Sequence, residues 1–254
     1  MTGTASRLSD LLGQLSPPVA GECHVWRLPV VPGRWDAFHD VLDEHERDRH
    51  RRFLRAADKD RYLTAHVGVR LLLGGYLGVP PQSLRFGRVC RHCGADHGKP
   101  ALAGTDGSLD FSLTHSGDWV GIAVAAAPVG VDVQEVEERT DIAAMGRMVL
   151  APPERAWLDG QPPERTRVGF FGYWARKEAL LKATGHGLAV PMAKITLSPP
   201  DEPARLVEWA ADAPLDGPVQ LQDLTVAADY TGSVALLTEH PIQVTEAELP
   251  APEE

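Results

Sequence analysis

Two stretches of the chain carry a helical rhythm of apolar residues, and short alternating stretches surround them. In residues 58–77, Tyr62, Ala65, His66, Val69, Leu72 and Leu73 fall on one face. In residues 170–188, Phe170, Trp174 and Leu181 form a stripe, with Glu178 and Lys182 side by side on its edge at i and i+4. Gly185 and Gly187 let the chain leave that helix tightly. Alternation predicts strands at 22–30, on either side of a turn at 114–118 within 109–126, at 128–136, 194–197, 205–209, 219–227 and 232–238. Shorter helices are expected at 35–42 and in the charged run after it, at 141–150 and at 152–158, with a Pro-rich loop at 160–167.

This mixture is an α/β (α+β) fold. The similar order of strands and helices in the two halves suggests a structural duplication. Its expected parts are a flexible leader at 1–20, an N-terminal subdomain at 21–127 and a C-terminal subdomain at 128–243. Residues 244–254 read as an acidic, disordered tail.

Composition narrows the function. A formal charge of −10 on 254 residues argues against a general nucleic-acid binder. No apolar run approaches the roughly 18 residues that span a bilayer, and the first residues lack the pattern of a signal peptide. Three cysteines cannot build a disulfide framework, so a cytoplasmic protein without membrane association is expected.

Against this acidic background, Arg47, Arg49, Arg51, Arg52, Arg55 and Arg61 stand out as a basic cluster. It is either a solvated face or a site for phosphate, whose oxygens match the planar guanidinium fork. Asp132 interrupts a Val-rich strand against β propensity, either on a wet face or as a ligand. His115 is placed at the tip of a hairpin, and Gly98-Lys99-Pro100 reads as a turn presenting a lysine. Cys90-x-x-Cys93, with His92 and His97 nearby, has the outline of one zinc knuckle but lacks the second pair that completes four ligands. The bland alternative is a turn with free thiols. A Glu-Lys pair four residues apart is, taken alone, an ordinary surface pair.

Taken together, Gly98-Lys99-Pro100, SLTHSGDWV at 112–120, GVDVQ at 130–134 and WARKEALLKATGHGL at 174–188 resemble the 4′-phosphopantetheinyl transferases of the Sfp type, in the variant with WxxKEA in the helix. The resemblance runs from about Arg49 to the last strands. It implies two similar subdomains related by a pseudo-twofold axis, with coenzyme A in the cleft between them. It also implies Mg²⁺-dependent transfer of phosphopantetheine to a serine of acyl or peptidyl carrier proteins of polyketide or nonribosomal peptide synthesis, by a monomer. By motif position, Asp132 and Glu178 would be metal ligands, with Gln134 as the third position. Glu178 and Lys182 would be catalytic. Arg49, Arg52, Arg61, Lys99, Pro100, Thr114, His115 and Lys182 would bind coenzyme A, while Gly185, Gly187 and Leu188 would face the carrier protein.

One residue departs from the family pattern. Many members carry Asp-x-Glu where this chain has Asp132-Val133-Gln134. The metal would then have two carboxylates and either an amide oxygen or a water. The competing reading is a non-catalytic module that binds coenzyme A or a carrier protein.

Overall fold

Strand alternation sorts the apolar residues onto three interfaces and so builds four layers. The computed structural model describes residues 4–104 and 107–252, and also leaves out the side chains of residues 4–7 and of His97. The N-terminal half comprises α1 (Thr4–Gly13), β1 (Glu22–Pro29), α2 (Glu44–Arg52), α3 (Ala56–Leu77), β2 (Phe86–Val89), β3 (Asp96–Leu102), β4 (Asp110–Ser116) and β5 (Trp119–Ala125). The C-terminal half comprises β6 (Val129–Glu135), α4 (Ile142–Val149), α5 (Pro152–Asp159), α6 (Pro163–Thr184), β7 (Ile195–Leu197), β8 (Leu206–Trp209), β9 (Val219–Asp223), β10 (Tyr230–Leu237) and β11 (Gln243–Glu248).

The first sheet has the order β11-β1-β5-β4 and the second β6-β10-β9. Within β1-β5-β4 and within β6-β10-β9 the first strand pairs with the last and the last with the middle, all antiparallel. In each half a 22-residue helix lies between the first strand and the other two, and it ends on a left-handed glycine, Gly78 or Gly185. The suspected duplication is thus visible in the topology.

Helix α3 covers one face of the first sheet through Leu63, Val67 and Leu72 against Leu28 and Ile122. The opposite face presents Cys23, Val25, Ala123 and Ala125 to Val129, Val131, Val133, Val234 and Leu236 of the second sheet. Helix α6 closes the stack through Phe170, Leu180 and Leu181 against Ala235 and Leu237.

The sheets also join edge to edge. Backbone N–H groups of Val129, Val131, Val133 and Glu135 on β6 donate to side-chain oxygens of Asp110, Ser112, Thr114 and Ser116 on β4, at 2.8, 3.1, 3.4 and 2.9 Å. Side chains of β4 thereby take the place of a neighbouring strand's carbonyls.

Five expectations need correction. Residues 243–248 of the supposed tail form β11, parallel to β1, and Leu249 is fully buried in the N-terminal core. The acids that made it look disordered lie along an edge strand, where charge is usual. The leader contains α1, which seats Leu8 in that core. Gly98-Lys99-Pro100 lies within β3 rather than in a turn. His115 lies within β4, whose hairpin turn is Gly117-Asp118. Helix α6 starts at Pro163, inside the supposed loop; proline suits a first helical turn because its missing N–H would have no partner there.

Candidate active site

The site is built where β6 runs unusually close to α6. A side chain on Gly130 would place its Cβ 1.9 Å from the carbonyl oxygen of Ala179 and 2.4 Å from the amide nitrogen of Ala183, so only glycine permits this approach. Two residues on, and on the same face of the strand, Asp132 reaches the helix. Its Oδ1 accepts hydrogen bonds from Lys182 Nζ at 2.7 Å and Thr114 Oγ1 at 2.8 Å. Its Oδ2 accepts from Gln134 Nε2 at 2.8 Å. Lys182 Nζ also donates to the Val131 carbonyl at 3.0 Å.

Glu178 stands one turn before Lys182 on α6. It is half-buried, and its carboxylate has no hydrogen-bond partner among the described residues. Burial, and then the charge of Asp132, push its carboxyl above the usual glutamate range, against the pull of Lys182. Two neighbouring carboxylates, one of them without a donor, form a place where a hard cation is electrostatically welcome. The pair fits Mg²⁺, which needs few protein ligands. Gln134 turns its NH₂ end to Asp132 and acts here as a clamp on that carboxylate. Among the described residues no group of three or more His, Cys, Asp or Glu is gathered that could hold a metal.

Beside these groups lies a cleft of about 740 Å³ between the halves. It gathers Arg49, Lys99, Pro100, His115, Lys182, Gly185, Gly187 and Leu188 from the expected set. Leu188 is 80% exposed at its rim. Lys99 donates to Asp110 and to the Val129 carbonyl, so it ties β3 to the seam as well as lining the cleft. Burial lowers the His115 pKa, and the charges of Arg61 and Lys182 lower it further, so the ring is held neutral.

Several expected residues sit elsewhere. Arg52 is exposed and does not line the cleft. Arg61 donates to the Gly117 carbonyl at 2.9 Å and to Asp58 at 2.8 Å. Thr114 is buried, with its hydroxyl engaged by Asp132 and the Val133 N–H, so it positions the carboxylate instead of facing the cleft.

The cleft also holds groups that sequence reasoning did not assign to a site, notably Arg88, Tyr62 and His66. Tyr62 and His66 stack at 3.9 Å, and the guanidinium of Arg49 lies 6.0 Å from the Tyr62 ring centre. Beneath them His66 Nδ1 is 3.0 Å from Glu46 Oε1, and Arg70 Nε donates to Glu46 Oε2 at 2.6 Å. The signal for His66 was present as a polar residue on the apolar face of α3, but periodicity assigns such a residue to the core.

Comparison with known proteins places this arrangement. A family described as the 4′-phosphopantetheinyl transferase superfamily matches residues 128–235, and one described as 4′-phosphopantetheinyl transferase, N-terminal, matches residues 26–127. The chain is 32% identical over 194 residues to the 4′-phosphopantetheinyl transferase HetI of a Nostoc species, covering 74% of this chain and 79% of that protein. This chain belongs to the 4′-phosphopantetheinyl transferase family. A family member from Bacillus subtilis is 26% identical over 214 residues, covering 84% of this chain and 89% of its own. The Sfp transferase of Bacillus subtilis is 24% identical over 164 residues, covering 65% of this chain and 69% of its own. Among solved structures, a holo-(acyl-carrier-protein) synthase from Bacillus anthracis in complex with CoA aligns with 44% of this chain and 97% of its own, at 21% identity and a TM-score of 0.37. No helix among the described residues of this family member is long and apolar enough to cross a membrane.

Proposed function

We propose that this transferase moves the 4′-phosphopantetheine arm of coenzyme A onto a serine of acyl or peptidyl carrier proteins, of the kind used in polyketide or nonribosomal peptide synthesis, and releases adenosine 3′,5′-bisphosphate. The observation that carries this reading is Glu178, unpartnered and half-buried between Asp132 and Lys182. A carboxylate whose pKa is raised by burial is suited to accept the serine proton, directly or through a water. Lys182 lines the cleft and can carry the charge that develops on phosphoryl oxygens. Arg49 and Arg88 supply positive charge for the phosphates of coenzyme A, and neutral His115 can donate a hydrogen bond to them. Thr114 and Gln134 hold Asp132 in place. Asp132 and Glu178 would hold Mg²⁺, which supplies positive charge to the pyrophosphate. An intact Glu178 and Lys182 weigh against a merely binding module.

Incubation with coenzyme A, Mg²⁺ and apo carrier proteins should add one phosphopantetheine mass to a carrier. No added mass with any acyl or peptidyl carrier tested would overturn the reading. Gln134→Glu removes the donor that clamps Asp132 and adds a third carboxylate. Calorimetric titration should then show Mg²⁺ binding tightened several-fold; unchanged affinity would exclude position 134 from the metal site.

A further inference from the structure

The Cys90–Cys93 segment has no part in the transferase reading, yet it stands at the mouth of the same cleft. Both cysteines line it. They sit in the turn between β2 and β3, which is closed by Gly94 N–H to the Cys90 carbonyl and Cys90 N–H to the Ala95 carbonyl, each at 2.9 Å. Gly94 adopts a left-handed φ of 72° to make that turn. The backbone N–H groups of Cys93 and then His92 lower the Cys90 pKa, and the Cys93 thiol adds to this against the opposing effect of burial. Cys93 itself is exposed to solvent. No third metal ligand joins them among the described residues. The turn thus places two thiols three residues apart at one edge of the cleft, one partly and one fully exposed, the arrangement of a nucleophile with its resolving partner.

We propose that Cys90 and Cys93 are a redox-active dithiol whose substrates are low-molecular-weight disulfides. The Cys90 thiolate attacks one sulfur of RSSR, forming Cys90–S–S–R and releasing RS⁻, which takes up a proton as RSH. Cys93 then loses its proton and attacks the Cys90 sulfur, expelling the second RS⁻, which takes up that proton. The two thiols give up two electrons and two protons, and RSSR takes up both as two RSH.

The location gives the bond a mechanical meaning. A disulfide holds its two Cβ atoms about 3.8 Å apart, so closing the bond fixes the geometry of the turn that carries Arg91 and His92. These are the residues that reach the other half, Arg91 to Asp216 and His92 to within 5.5 Å of the His186 ring.

The test uses the full chain and glutathione disulfide, read by intact mass and peptide mapping without reference to transferase activity. The wild type should lose two hydrogen masses and keep no adduct. Cys93→Ser should accumulate one glutathione on Cys90, and Cys90→Ser should react at least several-fold more slowly. Lasting adducts on both cysteines of the wild type, with no internal bond, would overturn the proposal. So would stoichiometric zinc that protects both thiols in protein purified without chelator. In the unmutated chain, alkylation by iodoacetamide should mark Cys90 first and persist to lower pH there than at Cys93. Cys23, fully buried and pushed up to about 12, should stay unmarked. Equal pH dependence at Cys90 and Cys93 would also count against it.

Discussion

Helices α3 and α6 are the same device put to different use. Each has 22 residues and ends on a left-handed glycine, and eight residues before that glycine each buries a cation completely, Arg70 in one and Lys177 in the other. Each cation pairs with an acid in the first turn of an earlier helix, Glu46 for Arg70 and Glu154 for Lys177. Each acid also accepts the N–H at the start of its own helix, from Asp43 at 3.0 Å and from Ala151 at 2.7 Å. Each cation further binds backbone carbonyls, of Pro81 and Leu84 in one half and of Val149, Met192 and Ile195 in the other. The helices part at two positions. Seven residues before the glycine stand Leu71 and Glu178; three before it stand Gly75 and Lys182. Leu71 is in the core, and a Cβ on Gly75 would lie 2.8 Å from the Leu12 carbonyl at the end of α1. On α6 these positions present Glu178 and Lys182 to Asp132 of β6, the groups to which the proposed chemistry is assigned, while the shared buried cation serves the architecture.

This comparison can be broken at several points. The largest effect is expected from Glu178→Gln and Lys182→Ala, each lowering turnover about 10²–10⁴-fold with the fold retained. Leu71→Met on α3 should leave turnover near wild type; an equal loss there would dissolve the distinction. Next come Arg70→Met and Lys177→Met. Each leaves a buried carboxylate without its counter-charge and should cost about 3–5 kcal/mol in urea unfolding. A large cost in one half beside a negligible one in the other would show that the two cations are not equivalent.

Gly130→Ala forces Cβ into helix backbone and should cost about 1–3 kcal/mol or more, with turnover reduced as Asp132 is pushed from α6. Gly68→Ala, its comparison on α3, meets the movable Leu28 side chain at 2.3 Å and should cost less. The smallest effect is pH-dependent. Burial lowers the His66 pKa despite the Glu46 hydrogen bond, so the unfolded chain takes up that proton first and stability falls as pH drops through about 6.5. Glu46 acts in the same direction at lower pH. Burial raises its pKa, but His66 and Arg70 outweigh burial and hold it below the usual range, so its contribution is lost as acid protonates it. His66→Gln should remove the upper part of that acid loss, on the order of 1 kcal/mol between pH 7.5 and 5.5 by thermal unfolding. An unaltered profile would place the acid sensitivity elsewhere.

Most strands were legible because alternation reports which face is buried, and both long helices announced themselves by period. The exceptions are instructive. Strand β3 carries DHGKPAL, with no apolar alternation to reveal it, and β11 hides its half-buried Val244, with buried Leu249 just beyond it, among acids. Asp132, Glu178, Lys182 and His115 could be picked out from short motifs because such motifs fix residue type and local spacing; the structure sets the first three beside one another and His115 on the cleft. The basic run could not be resolved into cleft-facing Arg49 and outward Arg52, since charge alone carries no direction. Lys177 next to Glu178 was illegible for another reason. Its partner Glu154 lies 23 residues away, so nothing local marks Lys177 as the structural lysine of the helix.

The seam between β4 and β6 bears on how such a molecule can change. In an ordinary sheet the ladder belongs to the backbone, so substitution adjusts it only indirectly. Here each rung is written by a codon: replacing Ser112 or Ser116 with alanine deletes one acceptor and leaves a β6 N–H wanting, while the backbone course of both strands is untouched. The coupling between the two halves can thus be retuned by single mutations, one rung at a time. Two rungs have a second partner: Asp110 also accepts from Lys99, and the Thr114 hydroxyl also holds Asp132. At Thr114 a change in how the halves are joined is also a change in what holds the carboxylate that Lys182 and Gln134 share.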